Sequence, residues 1–170
     1  DATESLVRAA VEDDCDLVIA DFYRVNGKCY VEKKHIKKKD VMSREEFAME
    51  MAEDPADFYY GVLWNKLFKR EIIAQHGLSM DKTISWCEDF MFNLEYLRHV
   101  KTVYALRVPV YYYVKRKGSL VDTQVDLRTT VKTKKVLFQY YKDLYDTLDM
   151  YEDHKLRIQA FYLEFARDME

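Results

Sequence analysis

Three short stretches hold most of the chemically capable side chains: Trp64-Asn65-Lys66-Leu67-Phe68, the Glu88-Asp89 pair, and Tyr111-Tyr112-Tyr113-Val114-Lys115-Arg116 with Ser119 just beyond. Together they supply an indole face, paired carboxylates and cations that follow an aromatic run. A carboxylate at the start of a helix has two uses. It can cap free backbone N–H groups, or it can take a proton from a hydroxyl held against it. The positive end of the helix dipole is expected to keep Asp89 ionised. Lys66 falls in a short strand-like segment between apolar residues, an unusual place for a merely solubilising charge. Lys115 and Arg116 lie in KRKGS, which reads either as an exposed turn or as a place to balance negative charge. Trp64 is either ordinary core or a stacking surface.

Several other chemistries lack support in the sequence. The four glycines, Gly27, Gly61, Gly77 and Gly118, are isolated, so neither a GxGxxG turn nor a P-loop is present. No serine stands in GxSxG, and His35, His76, His99 and His154 show neither HExxH nor another paired-ligand spacing. Dehydrogenase, nucleotide hydrolase, esterase and zinc-enzyme readings all lose their main sequence signature. The net charge of −3 gives no electrostatic case for nucleic acid. Cys15, Cys29 and Cys87 are odd in number and far apart, which suits a reducing compartment better than a disulfide framework. No apolar run approaches membrane-spanning length.

The elements that must position these residues can be read from periodicity. With 170 residues and 49% hydrophobic content the chain can bury one core, and 14 tyrosines give it amphipathic packing groups. Thr3 is expected to cap a helix to about Asp13, with Leu6, Val7, Ala10 and Val11 buried. Asp16–Val25 is a nearly continuous apolar run, expected as one strand covered on both faces. Asn26-Gly27 signals a hairpin whose return strand, Lys28–Lys34, is an exposed edge. KKHIKKK, residues 33–39, carries five lysines and reads as a solvated edge or, less simply, as a contact for an anionic membrane leaflet. Ser43 and Glu46 form a capping box for a helix to about Glu53, and Pro55 ends it. A short strand and helix close at Gly77, and a helix from Glu88 buries Phe90, Met91, Leu94 and Leu97. Two more strands are expected at Thr102–Leu106 and Val110–Lys115. From Leu127 two helices carry the apolar faces Leu137/Tyr140/Tyr141/Leu144/Leu148 and Ile158/Phe161/Tyr162/Phe165/Met169.

The three stretches, in this order and at this spacing, resemble the second half of a family 2 glycosyltransferase of the GT-A type. Members carry W-N-K-L-F/Y-K/R, then an E-D pair opening a helix, then an aromatic strand ending in Y-x-Y-x-x-R-x-x-S. The likeness covers roughly residues 1–120. It implies an α/β fold, a partial GT-A-like mixed sheet with flanking helices over residues 1–122, followed by a helical C-terminal extension over 123–170. The N-terminal half of the pattern, with its nucleotide-binding loop and metal-binding DxD, has no counterpart here, and neither Asp1 nor Asp16 stands in such a motif. The chain is therefore expected to be the acceptor-side part of a longer enzyme and inactive alone.

By this resemblance Asp89 is the general base of an inverting transfer from a nucleotide-sugar donor to a hydroxyl of a saccharide or glycolipid. Trp64, Asn65 and Glu88 are expected at the acceptor, and Lys66, Lys115, Arg116 and Ser119 at the donor diphosphate. Mn2+ or Mg2+ is expected in the parent enzyme through the absent DxD. The expected setting is the cytoplasm, with peripheral association at the inner face of the membrane open, in making bacterial cell-surface polysaccharide. A different class of reading is a non-catalytic α+β interaction module that docks a protein or a membrane surface; a third is a degenerate transferase scaffold.

Overall fold

The structure is a computed structural model that describes residues 1–36, 41–55, 57–84, 86–114 and 127–164. Its first helix, α1 (Ala2–Glu12), is capped by Asp1, which forms a capping box with Glu4, two residues before the expected cap at Thr3. Leu6 and Ala9 are its buried positions, whereas Val7 and Val11 are exposed, so the apolar stripe is narrower than the periodicity predicts. The run at 16–25 is not one strand. It divides at Asp21 into β1 (Leu17–Ala20), buried throughout, and β2 (Phe22–Asn26), in which only Phe22 is buried.

That division makes two sheets. One has the order β4-β6-β1-β5, formed by β4 (Val41–Ser43), β6 (Thr102–Leu106), β1 and β5 (Lys66–Phe68); the other has the order β3-β2-β7, formed by β3 (Cys29–Lys33), β2 and β7 (Tyr112–Val114). In the first, β1 runs parallel to β6 and antiparallel to β5, while β4 runs antiparallel to β6. In the second, β2 pairs antiparallel with β3 and parallel with β7. The parallel pair β1/β6 thus continues as the parallel pair β2/β7. Asp21 N–H donates to Leu106 O (3.2 Å), Val110 N–H donates to Asp21 O (2.9 Å) and Tyr23 N–H donates to Tyr111 O (2.8 Å), which carries the pairing across the break.

Side-chain alternation along β1 explains its all-buried pattern. Val18 and Ala20 pack with Leu6 and Ala9 of α1, while Leu17 and Ile19 join the main core on the other face. The hairpin between β2 and β3 turns on Gly27-Lys28, since Asn26 still pairs with Cys29, and Gly27 alone takes the left-handed backbone, φ 60°. The β3 residues are exposed, as an edge strand should be.

The remaining helices pack on the other face of the first sheet. Ser43 and Glu46 form the expected capping box of α2 (Arg44–Glu53). A single turn, α3 (Phe58–Gly61), comes after it with Asp57 as its cap. Next are α4 (Arg70–His76), closed by Gly77 at φ 62°, and α5 (Glu88–Leu97). The last two are α6 (Leu127–Thr147) and α7 (Tyr151–Glu164). Leu137, Tyr141, Leu144, Tyr145, Ile158 and Phe161 belong to the same core as Phe47, Met51, Phe90 and Leu94. Tyr140 of the expected stripe is half-buried, and Phe165 and Met169 lie outside the described residues. Two hydroxyls tie α6 to α2 and its end: Tyr145 donates to Ala48 O (2.6 Å) and Tyr141 to Pro55 O. Among the described residues no helix is long and apolar enough to cross a membrane.

Candidate active site

Asp89 sits in the first turn of α5, half-buried, beside the equally half-buried Glu88. The residue before them, Cys87, holds the N-cap position with a left-handed backbone at φ 65° and gives no side-chain cap. Positive φ in a residue with a Cβ is strained, and such strain collects at sites whose geometry is fixed by their surroundings. Here the surroundings are visible. Asn93, one turn beyond Asp89, donates through Nδ2 to Asp89 O (2.8 Å) and to Gly61 O (2.8 Å), locking the start of α5 to α3. At Gly61 a Cβ would come 2.9 Å from Phe90 Cδ1, so this close approach requires glycine.

Asn65 and Lys66 form the floor of this region. Asn65 is fully buried; its Nδ2 donates to Ala20 O (3.2 Å) and Tyr59 O (3.1 Å). Lys66 is buried as well, and its Nζ donates to Tyr59 O (3.1 Å), Asn65 Oδ1 (2.9 Å) and Val62 O. An ammonium has three protons, and three protein acceptors take them. Asn65, expected at the acceptor, and Lys66, expected at the diphosphate, therefore both bond within the protein, to each other, to the Tyr59 and Val62 carbonyls and to Ala20 O. The physical reason is burial: an amide or ammonium removed from water must find protein partners, and backbone carbonyls supply them.

Lys66 still acts on the site through its field. Burial pushes the Asp89 carboxyl above the usual carboxylate range, Glu88 pushes it further, and Lys66 pulls it back. This differs from the ionising influence expected of the helix start alone, because desolvation outweighs it. Burial in turn drives the Lys66 ammonium well below its ordinary range, opposed by Asp89. A carboxylate with a raised proton affinity is a better base than an ordinary aspartate.

Trp64 stands beside this floor in an aromatic cluster. Its indole stacks on Tyr111 (ring centroids 4.3 Å apart, planes at 26°) and Tyr113 (5.8 Å, 8°) and meets Phe22 edge-on (4.8 Å, 89°). The W-N-K stretch and the aromatic strand of the sequence are thus brought together with each other and, through Lys66, with the E-D pair. Lys115, Arg116 and Ser119 lie outside the described residues.

Sequence reasoning passed over the junction beneath the cluster. Asp21 is fully buried, its Oδ2 is 3.1 Å from Arg107 Nε, and Arg107 Nη1 donates to Ile36 O (3.0 Å). Burial raises the Asp21 carboxyl while Arg107 opposes the rise. This ion pair pins the crossover between the two sheets. A lone acidic residue inside an apolar run, DLVIADFY, was the signal for it. Asn93, a single amide on the apolar face of a helix, was a second.

No family model matches the chain. In sequence it is similar to a glycosyltransferase, EpsJ of Bacillus subtilis (strain 168), with 24% identity over 121 residues, 70% of this chain and 35% of EpsJ. In structure it is similar to TarS of S. aureus, residues 1–349, crystallised with UDP-GlcNAc, with TM-score 0.66 at 15% identity over 96% of this chain and 44% of that one. The TarS complex with UDP aligns with TM-score 0.63 at 14% identity over 96% of this chain and 42% of that one. The chain spans about a third of the length of EpsJ and less than half of TarS residues 1–349. The mixed α/β architecture, two sheets with flanking helices and a helical C-terminus, is shared with the TarS structure, and in sequence the chain is similar to the glycosyltransferase EpsJ.

Proposed function

We propose that this chain is the acceptor-side portion of an inverting family 2, GT-A type glycosyltransferase in which Asp89 is the general base. The observation that carries the reading is the placement of Asp89: half-buried in the first turn of α5, tied to α3 through Asn93, and made more basic by burial. The similarity to EpsJ and to the TarS fold supports the reaction class. The structures of TarS with UDP-GlcNAc and UDP support a nucleotide sugar as donor.

In this reading the acceptor hydroxyl lies against Asp89. As its oxygen bonds to the anomeric carbon, its proton passes to the Asp89 carboxylate. The bond from the anomeric carbon to the donor diphosphate breaks on the opposite face, and the nucleoside diphosphate leaves. Glu88 orients the acceptor and, by raising the Asp89 carboxyl, helps the proton move. The wall formed by Trp64, Tyr111 and Tyr113 offers ring faces and hydroxyls to a sugar. Lys115, Arg116 and Ser119 stabilise the departing diphosphate. Asn65 and Lys66 are positioning residues, because they hold the 59–62 turn on which α5 rests.

Donor-bound Mn2+ or Mg2+ would offset diphosphate charge in the parent enzyme. The candidate site itself offers no ligand set for it: among the described residues, no group of three ligating side chains includes Glu88 or Asp89.

The test is turnover of the full-length protein on a panel of nucleotide sugars with Mn2+, comparing wild type with Asp89→Asn. Nucleotide release should fall at least ~100-fold in the variant, as expected for loss of a general base, with its circular dichroism unchanged. Normal turnover by Asp89→Asn would reduce Asp89 to a helix-end residue. If no nucleotide sugar binds the wild-type protein, the interaction-module reading takes its place.

A further inference from the structure

We propose that His35, Asp54 and Asp57 form a divalent-cation site, best suited to Zn2+, that clamps the chain after β3 to the connection between α2 and α3. The proposal goes beyond the transferase reading and does not depend on it. Among the described residues these three are the one group whose ligand atoms converge, all within 4.8 Å of one another.

His35 and Asp57 form an ion pair whose spacing also admits a bridging ion. His35 Nδ1 lies 3.4 Å from Asp57 Oδ2. A charge-assisted hydrogen bond would close to about 2.7–2.9 Å. Ligand bonds of about 2.0–2.1 Å in a tetrahedral site put neighbouring ligand atoms about 3.4 Å apart. The donor set is one imidazole and two carboxylates. Imidazole suits zinc and related transition metals, whereas Mg2+ and Ca2+ prefer oxygen alone.

The ligands are also held in advance. Asp57 Oδ1 accepts from Tyr59 N–H (2.6 Å), which fixes the carboxylate and leaves Oδ2 for the ion. Asp57 N–H donates to Asp54 O (3.1 Å), so a tight turn keeps the two aspartates together. The His35 ring meets Tyr60 edge-on (5.0 Å, 65°) and lies tilted beside Tyr59 (6.3 Å, 31°). Such packing sets the ring's direction, as outer-shell contacts do in metal sites. Asp54 is exposed and gives the ion a way in.

Local charge agrees. Asp57, Asp54 and Glu50 act on His35, while His35 and, less strongly, Lys33 act on Asp57. With His35 as a neutral imidazole ligand, the three carboxylates against the Lys33 ammonium leave two negative charges, which a divalent ion offsets. The clamp would brace the candidate active site from below, because Asp57 caps α3 and the Tyr59 carbonyl of α3 receives both Asn65 and Lys66.

The experiment is calorimetric titration of Zn2+ into chelator-treated full-length protein, with thermal unfolding measured in parallel. Wild type should bind one more equivalent than Asp54→Asn and His35→Gln, or bind it at least ~10-fold more tightly, since even outer-shell changes weaken metal sites ~10–100-fold. Zn2+ should raise the unfolding temperature of wild type more than that of either variant, and Mg2+ should not compete. Asp54→Asn alters an exposed carboxylate, so it keeps the test open should His35→Gln fail to fold. Zinc binding unchanged in Asp54→Asn would overturn the proposal. So would binding lost only with His76→Ala or His99→Ala, whose rings stack 3.8 Å apart elsewhere in the molecule.

Discussion

Lys66 is where burial and chemistry meet at the scale of a single residue. Its ammonium is buried and has three partners within the 59–65 segment, so its first task is to hold that segment. Replacing it with Met removes the Lys66 donor from Val62 O and Asn65 Oδ1 and leaves Tyr59 O with Asn65 Nδ2 alone, and buried unpaired acceptors cost about 1–3 kcal/mol. Urea denaturation of Lys66→Met should show a loss of that size. Its second task concerns Asp89. Lys66 lowers a carboxyl that burial and Glu88 have raised, so removing it lets the carboxyl rise further. A general base works only when deprotonated, and activity is lost as pH falls through its pKa. The acid limb of kcat/KM against pH should therefore move to higher pH in Lys66→Met. A lysine that merely held the fold would reduce activity at every pH and leave the limb in place.

At the scale of elements, the site depends on how closely α3 and α5 approach. Gly61 permits the approach, and Asn93 fastens it from α5. Gly61→Ala places a methyl against the Phe90 ring, which must move or separate the helices. Overpacking of this kind costs about 1–3 kcal/mol, measurable as a shift in the denaturation midpoint. Because Asp89 rides on the same helix turn, kcat should fall while the protein remains folded at the assay temperature. Ordinary turnover by a destabilised Gly61→Ala would show that the spacing of α3 and α5 does not matter to the chemistry. Legibility in the sequence also divides at this scale. The capping box at Ser43, the stripe of α5 and the stop at Gly77 are local patterns, written in residues three or four apart, and the sequence shows them directly. The break at Asp21 is not local. It depends on Arg107, 86 positions away, which the spacing of neighbours cannot reveal. Asn65 and Lys66 were legible as unusual residues, but their partners, carbonyls of a one-turn helix, were not, because backbone acceptors leave no trace in residue type. The His35–Asp54–Asp57 group was invisible for a related reason: its ligands keep no motif spacing, and a turn and a strand end bring them together.

The whole molecule raises the question of where its cooperative unit ends. The sequence places a boundary at residue 122 and reads residues 123–170 as a helical extension, yet the core does not stop there. Leu137, Leu144, Ile158 and Phe161 are buried among residues of α2 and α5, Tyr141 meets Phe90 with ring centroids 5.5 Å apart, and Tyr145 reaches Ala48. Burying those four aliphatic and phenyl side chains contributes about 1.5–3 kcal/mol each. The sum rivals the entire stability of a typical domain, about 5–15 kcal/mol. Removing residues 127–170 would also uncover Phe90, against which Tyr141 packs, and leave the Ala48 carbonyl without the Tyr145 hydroxyl. The shortened chain should therefore lose its cooperative thermal transition rather than melt as a smaller domain, and the complete chain should unfold in one step by circular dichroism and by tryptophan fluorescence alike. A shortened chain with a sharp transition near that of the complete one would make α6 and α7 an appended unit. Loss of the transition would make them the layer that holds α5, and with it Asp89, against the sheet.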